Sequence, residues 1–458
     1  MIRRFFFFTL TIAALLTACT DNDSFSASSG QRLTFTQDTI SFDTLFSTVP
    51  SVTRTLWVHN KTSDGIRIQT ARLERGGQSG YRVNVDGTYL DPVGSDFEVR
   101  KGDSLLIFVE VTTAETHQEG PQLIEDNLLL TLESGDVQRI NLRTYSWDAR
   151  KISDLVVRRD TTISSDVPLL IYGGGITVEE GATLTLSNTE FYFHDAAGLQ
   201  VNGTLHAENC LFRGDRLDRL FPYLPYDRVP GQWEGLEFSP TSSDNYIANS
   251  EIRNSYNAIL CDSTTLTLYH TKIHNCGGYG IYAHNSELTL SYCQLTNTLD
   301  DCLSVEGSQV SIEHCTLAQF YPFSANRGMA LRFVTSEDKS TRLQCATTLV
   351  TGYADDVILY QEYADSAIYC DYHFQDCILR TDSTLLSERL ERVAWESPKD
   401  SIQGKRHFRV IDEENFYYDF TIDSLSPAFQ RQIGYYPIGE AVEQSRKTRA
   451  DFYGILHR

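Results

Sequence analysis

Four tetrads fix what this chain can fold into: Asn249-Ser-Glu-Ile252, His270-Thr-Lys-Ile273, Tyr292-Cys-Gln-Leu295 and His314-Cys-Thr-Leu317 start 21, 22 and 22 residues apart. The pattern also reads at Asn188-Thr-Glu-Phe191, Asn209-Cys-Leu-Phe212, Ala346-Thr-Thr-Leu349 and Asp376-Cys-Ile-Leu379. A short fixed period marks a stacked repeat. Within each unit the second residue is small, the fourth large and apolar, and the third mostly polar. Residues two apart share one face of a strand, so the second and fourth point inward and the third points to water. Two further strand columns fill each period, through Ile259, Ile281 and Leu303 and through Leu266, Leu288 and Val310. Three strands per turn predict one rung of a parallel β-helix. Eight rungs at the spacing of hydrogen-bonded strands make a rod on the order of 35–40 Å long. Asn254, Asn275 and Asn297, followed by Gln319, keep the same register, so we expect them at a corner with their amides bonded rung to rung.

The overall fold class is all-β: an N-terminal β-sandwich, a right-handed parallel β-helix and a C-terminal capping or return segment. The expected divisions are 1–18 for an export signal, 19–30 for a linker, 31–148 for the sandwich, 149–385 for the helix and 386–458 for the cap. In 31–148, alternating runs such as Thr55–His59, Tyr81–Val85, Leu105–Val111 and Leu128–Leu132 lie between Gly-Asp and Gly-Gly turns. Phe42-Asp-Thr-Leu-Phe46, Leu56-Trp-Val-His-Asn60 and Gly102-Asp-Ser-Leu-Leu-Ile-Phe-Val109 resemble the immunoglobulin-like modules ahead of β-helices in Bacteroidetes surface lipoproteins. Residues 154–385, with Val178-Glu-Glu-Gly-Ala-Thr-Leu184, resemble the pectin-lyase-like superfamily of right-handed parallel β-helices. That resemblance implies a scaffold and leaves the activity open, because one fold hosts many functions.

The start of the chain carries an address. Arg3 and Arg4 precede the apolar run Phe5 to Leu16, the shape of an export signal. Leu16-Thr-Ala-Cys19 resembles the lipobox of bacterial lipoproteins, which implies lipidation of Cys19 and anchoring to a membrane. Thr20-Asp-Asn-Asp23 resembles outer-membrane sorting tags, facing either the cell surface or the periplasm. Beyond the signal no run reaches the 18 or more apolar residues of a spanning helix. With formal net charge −22, nucleic acid and other polyanions are disfavoured as partners. Of ten cysteines, Cys210, Cys293, Cys315 and Cys377 fall in the small inward column and Cys261 also points inward. We therefore expect reduced core thiols. No Cys-x-x-Cys pair suggests a metal site.

Insertions interrupt the period after Phe212, at Phe320-Tyr-Pro-Phe323 and near Tyr360 and Tyr363. Loops of this kind leave a rod on its outside, often at a binding face. Tyr223, Tyr226 and Tyr321 are thus candidate ligand contacts, while Trp233 reads as a structural anchor. Asn297-Thr-Leu-Asp-Asp-Cys302 resembles the polygalacturonase motif, which implies catalytic roles for Asp300 and Asp301, since glycoside hydrolysis needs two carboxylates. Leu299 stands in place of the family's first Asp, and its Gly-His-Gly and Arg-Ile-Lys are missing. The preferred reading of Asp300 and Asp301 is a turn, with Ca²⁺ binding as a further option. Outward-facing Glu251, Lys272, Arg253 and His274 read as cross-strand surface pairs. The expected function is a lipid-anchored, non-catalytic envelope protein whose β-helix presents a surface to a polysaccharide or an envelope protein. The alternative is a polysaccharide hydrolase or lyase on the same scaffold.

Overall fold

The computed structural model describes residues 24–362, 367–381, 385, 387–396 and 404–437. The signal 1–18, Cys19, the acidic segment that follows it, Tyr363 and the end of the chain lie outside the described residues. Two compact units meet at Asp148 and Ala149.

The first unit is a sandwich of two five-stranded sheets. One contains Arg54–His59, Ser104–Val111 and Tyr81–Val85, all antiparallel. The other contains Thr39–Phe46, Val137–Trp147, Gln122–Leu132, Ile66–Leu73 and Val93–Val99, with a single parallel pair between the first two. Alternate residues enter one core: Leu56, Val58, Ile107 and Val109 from one sheet, Ile68, Leu128, Leu130 and Ile140 from the other. That alternation is what the side-chain period of two produces when each sheet buries one face. The end of the expected linker belongs to this unit. Phe25 bridges to Gly65, where an added Cβ would fall 2.6 Å from its ring.

The second unit is a coil of parallel strands, three per turn. One turn is Lys272–Cys276, Ile281–His284 and Glu287–Ser291. These belong to what we term the first, second and third sheets. The third sheet has ten strands, so at about 4.8 Å per step it runs on the order of 43 Å. Phe191, Phe212, Ile252, Ile273, Leu295, Leu317, Val350 and Leu379 stand in single file inside the first sheet. All eight are fully buried.

Val350 in that file corrects the expected register. Leu317 pairs with Val350, not Leu349. The unit therefore begins at Thr347, which has the left-handed φ of 49° shared by the other unit starts. A slip of one residue turns a side chain to the opposite face. Leu349 accordingly points out of the rod, and it is buried there by the returning tail.

The corner expectation is also revised. The first residue of every unit, from Asn188 to Asp376, has φ between 46° and 54°. At this corner Asn209 Nδ2 donates to Asn188 Oδ1 at 3.2 Å. Farther along, the rings of His270, Tyr292 and His314 stack at 4.9 and 4.8 Å. Asn254, Asn275 and Asn297 are left-handed too, but their amides do not join one another. Asn254 donates to the Asp227 and Val229 carbonyls, and Asn297 accepts from Phe320 N. Asn254 and Asn297 thus hold the loops that leave the rod at this corner instead of forming a ladder.

The tail runs back over the outside of the first sheet. Phe408–Asp412 and Tyr417–Ile422 form a hairpin, followed by the short helix Pro427–Arg431, capped by Ser426. Phe408, Phe420, Ile422 and Ile433 pack on Phe320, Leu349 and Ile378. The expectation that third-position residues face water thus holds for Glu190 and fails for Gln294, Thr316 and Ile378, which are buried. The nine described cysteines are all unpaired and buried, and burial raises the Cys261 and Cys276 thiols. Trp233 is 1% exposed. It stacks on Phe193 at 4.4 Å and donates to the Arg253 carbonyl at 2.9 Å.

Candidate functional site

The candidate site lies at the outer face of the second sheet, and of the residues singled out in the sequence only Asp300 and Asp301 come near it, through the bond of Asp301 to Arg332. Strand alternation puts Tyr282, Ser304 and Arg332 in one outward file, and His284, Glu306 and Val334 in the next. The loop Asn297–Cys302 enters this sheet just ahead of Leu303. It carries Asp300 and Asp301 to the same rim.

The two aspartates have different fates. Asp301 is 2% exposed. Its Oδ2 lies 2.5 Å from Arg332 Nε and its Oδ1 3.3 Å from Nη2. Oδ1 also accepts from Met329 N at 2.7 Å. Both oxygens are therefore spent on positioning Arg332 and the 328–330 backbone. Gly328 is required by that approach, since a Cβ there would fall 2.3 Å from the Asp300 carbonyl carbon. Asp300 is exposed. Partial burial and then the neighbouring Asp301 raise its carboxyl above the usual range, with Arg332 opposing. The resemblance's pair of working carboxylates is thus reduced to one free acid beside a neutralised one.

Arg332 also lines a groove of about 420 Å³, together with Tyr279, Tyr282, Ser304, Glu306, Val334 and Gln361; neither aspartate lines it. The rings of Tyr279 and Tyr282 lie 5.2 Å apart and 32° from parallel. Tyr282 donates to Glu306 Oε2 at 2.7 Å. Burial first, then the Glu306 carboxylate, raises the Tyr282 phenol. Burial and the two aspartates raise Tyr279. Both therefore remain protonated donors at neutral pH. Arg332 is held in its charged form chiefly by the bond to Asp301.

The loop tyrosines do not converge as expected. Tyr321 is 4% exposed, its phenol pushed up to about 12 by burial, so it packs the loop base against Phe323. Tyr226 is half-buried beneath the Arg216 guanidinium, 4.0 Å away. Tyr223 alone of the three is exposed, stacked on Phe221 at the tip of the first insertion. Tyr360 is part of the second sheet and packs on Phe333 and Tyr372. Among the described residues no three His, Cys, Asp or Glu side chains come together to hold a metal ion.

The sequence missed Tyr279, Tyr282, Glu306 and Arg332. The available signal was register: an outward residue 22 positions before Ser304 is Tyr282, and the same step in the neighbouring file joins His284 to Glu306. Arg332 was hidden because the loop after Phe320 lengthens its unit.

Residues 231–332 match a family model described as right handed beta helix region. The rod is a right-handed parallel β-helix. No curated protein matches the chain. Among solved structures, a family 123 glycoside hydrolase from Clostridium perfringens, described for the hydrolysis of glycolipid glycans, aligns at 6% identity with a TM-score of 0.19. The alignment covers 26% of this β-helix chain and 26% of the hydrolase. At that score the likeness carries no argument.

Proposed function

We propose that this chain is a non-catalytic glycan-binding protein of the bacterial envelope, tethered to a membrane through a lipid on Cys19, with its ligand seated in the second-sheet groove. The observation that carries the reading is a guanidinium fixed by a buried carboxylate beside two protonated tyrosines. Rigid aromatic faces cover the apolar side of a sugar ring, and positioned N–H and O–H donors set its orientation. Glu306 balances Arg332 in the groove, and the chain is strongly acidic, so the ligand class is an uncharged polysaccharide. An envelope protein partner remains the other form of the same surface role.

The raised carboxyl of Asp300 favours one second reading, a hydrolase in which Asp300 donates the proton. A glycan array followed by a reducing-end assay on every hit separates the two. Binding without release of reducing ends, weakened about tenfold or more by Tyr282→Ala, is the expected result. Turnover lost in Asp300→Asn with binding intact makes the chain an enzyme. An array with no hit overturns both readings.

A further inference from the structure

The first sheet carries a separate hollow on its outer face. A cavity of about 340 Å³ runs beneath residues 416–421 of the returning hairpin. A second hollow of about 640 Å³ adjoins it, with Glu251, Arg253 and Lys272 lining both. Volumes of this order suit small-ligand sites. The roof is tied at its end, because Arg228 donates to the Asn415 carbonyl at 2.6 Å and lies over the Tyr417 ring at 5.2 Å.

The charges in the hollow do not all cancel in pairs. Arg253 is bracketed by Asp227 at 3.2 Å and Glu251 at 3.3 Å. His274 bonds Thr296 Oγ1 at 2.8 Å, and burial keeps its ring neutral. Lys272 has no carboxylate partner among the described residues; its ammonium lies 5.6 Å from the Tyr435 ring. One rung on in the same file is Gln294. It lines the cavity, where its amide can bond a ligand.

We propose that this hollow is a second ligand site and takes a sugar carrying a single carboxylate, with the acid on Lys272 and ring hydroxyls on the Gln294 amide. A neutral sugar would leave the ammonium unanswered. A polyanion would meet Glu190, Glu251 and the acidic chain beyond them. One carboxylate satisfies the lysine, since Asp227 and Glu251 in the lining are already answered by Arg253, and charge outside the hollow is screened beyond about 8 Å at physiological salt. The site is independent of the second-sheet groove, which shares none of these residues.

Isothermal titration of the full chain tests this with methyl glucuronide, methyl galacturonide and N-acetylneuraminate, against methyl glucoside as the neutral comparator. At least one acid should bind about tenfold or more tighter than the glucoside, a difference of about 1.4 kcal/mol. Lys272→Gln should abolish that preference, Lys272→Arg should keep most of it, and Gln294→Ala should weaken binding with circular dichroism unchanged. The proposal is overturned if none of the three acids is preferred over the glucoside. It is equally overturned if Lys272→Gln binds the preferred acid as the parent does, since the hollow would then hold only water.

Discussion

The two halves of the first sheet are made from the same repeat and end up with opposite exteriors. Inside, Ile252 and Ile273 in the early rungs are stacked and buried just as Leu317 and Val350 are in the later ones. Outside, the early rungs present Glu251, Arg253 and Lys272 to an open hollow. The later rungs present Thr316, Leu349, Thr351 and Arg380, which the returning tail buries. The strand period fixes which residues face out, but only the tail decides whether out means water. The open half is free to bind, while the covered half holds the molecule together.

The largest test of that difference compares two arginines in the same outward file. Arg380 is fully buried and meets Glu396, also fully buried, at 3.3 Å. Glu396 in turn accepts from Thr351 at 2.6 Å and lies 3.7 Å from buried His407, so the network fastens tail to rod. Arg380→Met strands a buried carboxylate and should cost about 3–5 kcal/mol. Arg253→Met acts on half-exposed pairs and should cost about 1 kcal/mol or less. Urea unfolding of both variants reads the contrast, and equal midpoints would break it.

A second pair sharpens the register. Leu295→Ala empties a place inside the rod and Leu349→Ala one beneath the tail, each worth about 2–5 kcal/mol. The route of the loss should differ. Limited proteolysis should cut the Leu349 variant in the tail while the rod stays protected, and it should leave the tail of the Leu295 variant no more sensitive than the rod. Cleavage at the same sites in both would place Leu349 inside after all.

The pattern of what could be read in advance follows the same division. The inward file was legible because burial demands one residue type every 21 or 22 positions, and Trp233 was legible as an aromatic next to a strand. Leu349 was misplaced because both 349 and 350 are apolar, and only the left-handed corner at Thr347 chooses between them. The partner of Asp301 was not legible, because an ion pair across a loop of irregular length leaves no periodic trace. Tyr321 illustrates the limit for aromatics on insertions: the same ring can meet a ligand or seal its own loop, and the rest of the loop decides.

Acid should weaken the sheet from the side that faces the hollow. Burial, with Arg253 adding, pushes His274 down to about 4, against about 6.5 in an unfolded chain. His270 and His314 are lowered by burial as well. Between those values the unfolded chain binds a proton that the folded chain refuses, so stability is full above about pH 6.5 and falls toward pH 4. His274→Gln should flatten that slope in urea midpoints taken across the range. An unchanged slope would move the acid sensitivity elsewhere.

The smallest expected effect lies at the corner, where amides serve the early rungs and rings the later ones. Tyr292 holds a left-handed φ of 54°, which costs a bulky residue about 1–2 kcal/mol. It recovers about 0.5–1.5 kcal/mol per ring pair by stacking between His270 and His314. Tyr292→Asn removes both terms at once, because Asn accepts the conformation and brings no ring. Its net change in unfolding free energy should stay within about 1 kcal/mol. Tyr292→Ala keeps the strain and loses the stacking, so it should be the less stable of the two. If Ala matches Asn, the strain at this corner is absorbed elsewhere in the rung, and the choice between amide and ring carries no energetic weight.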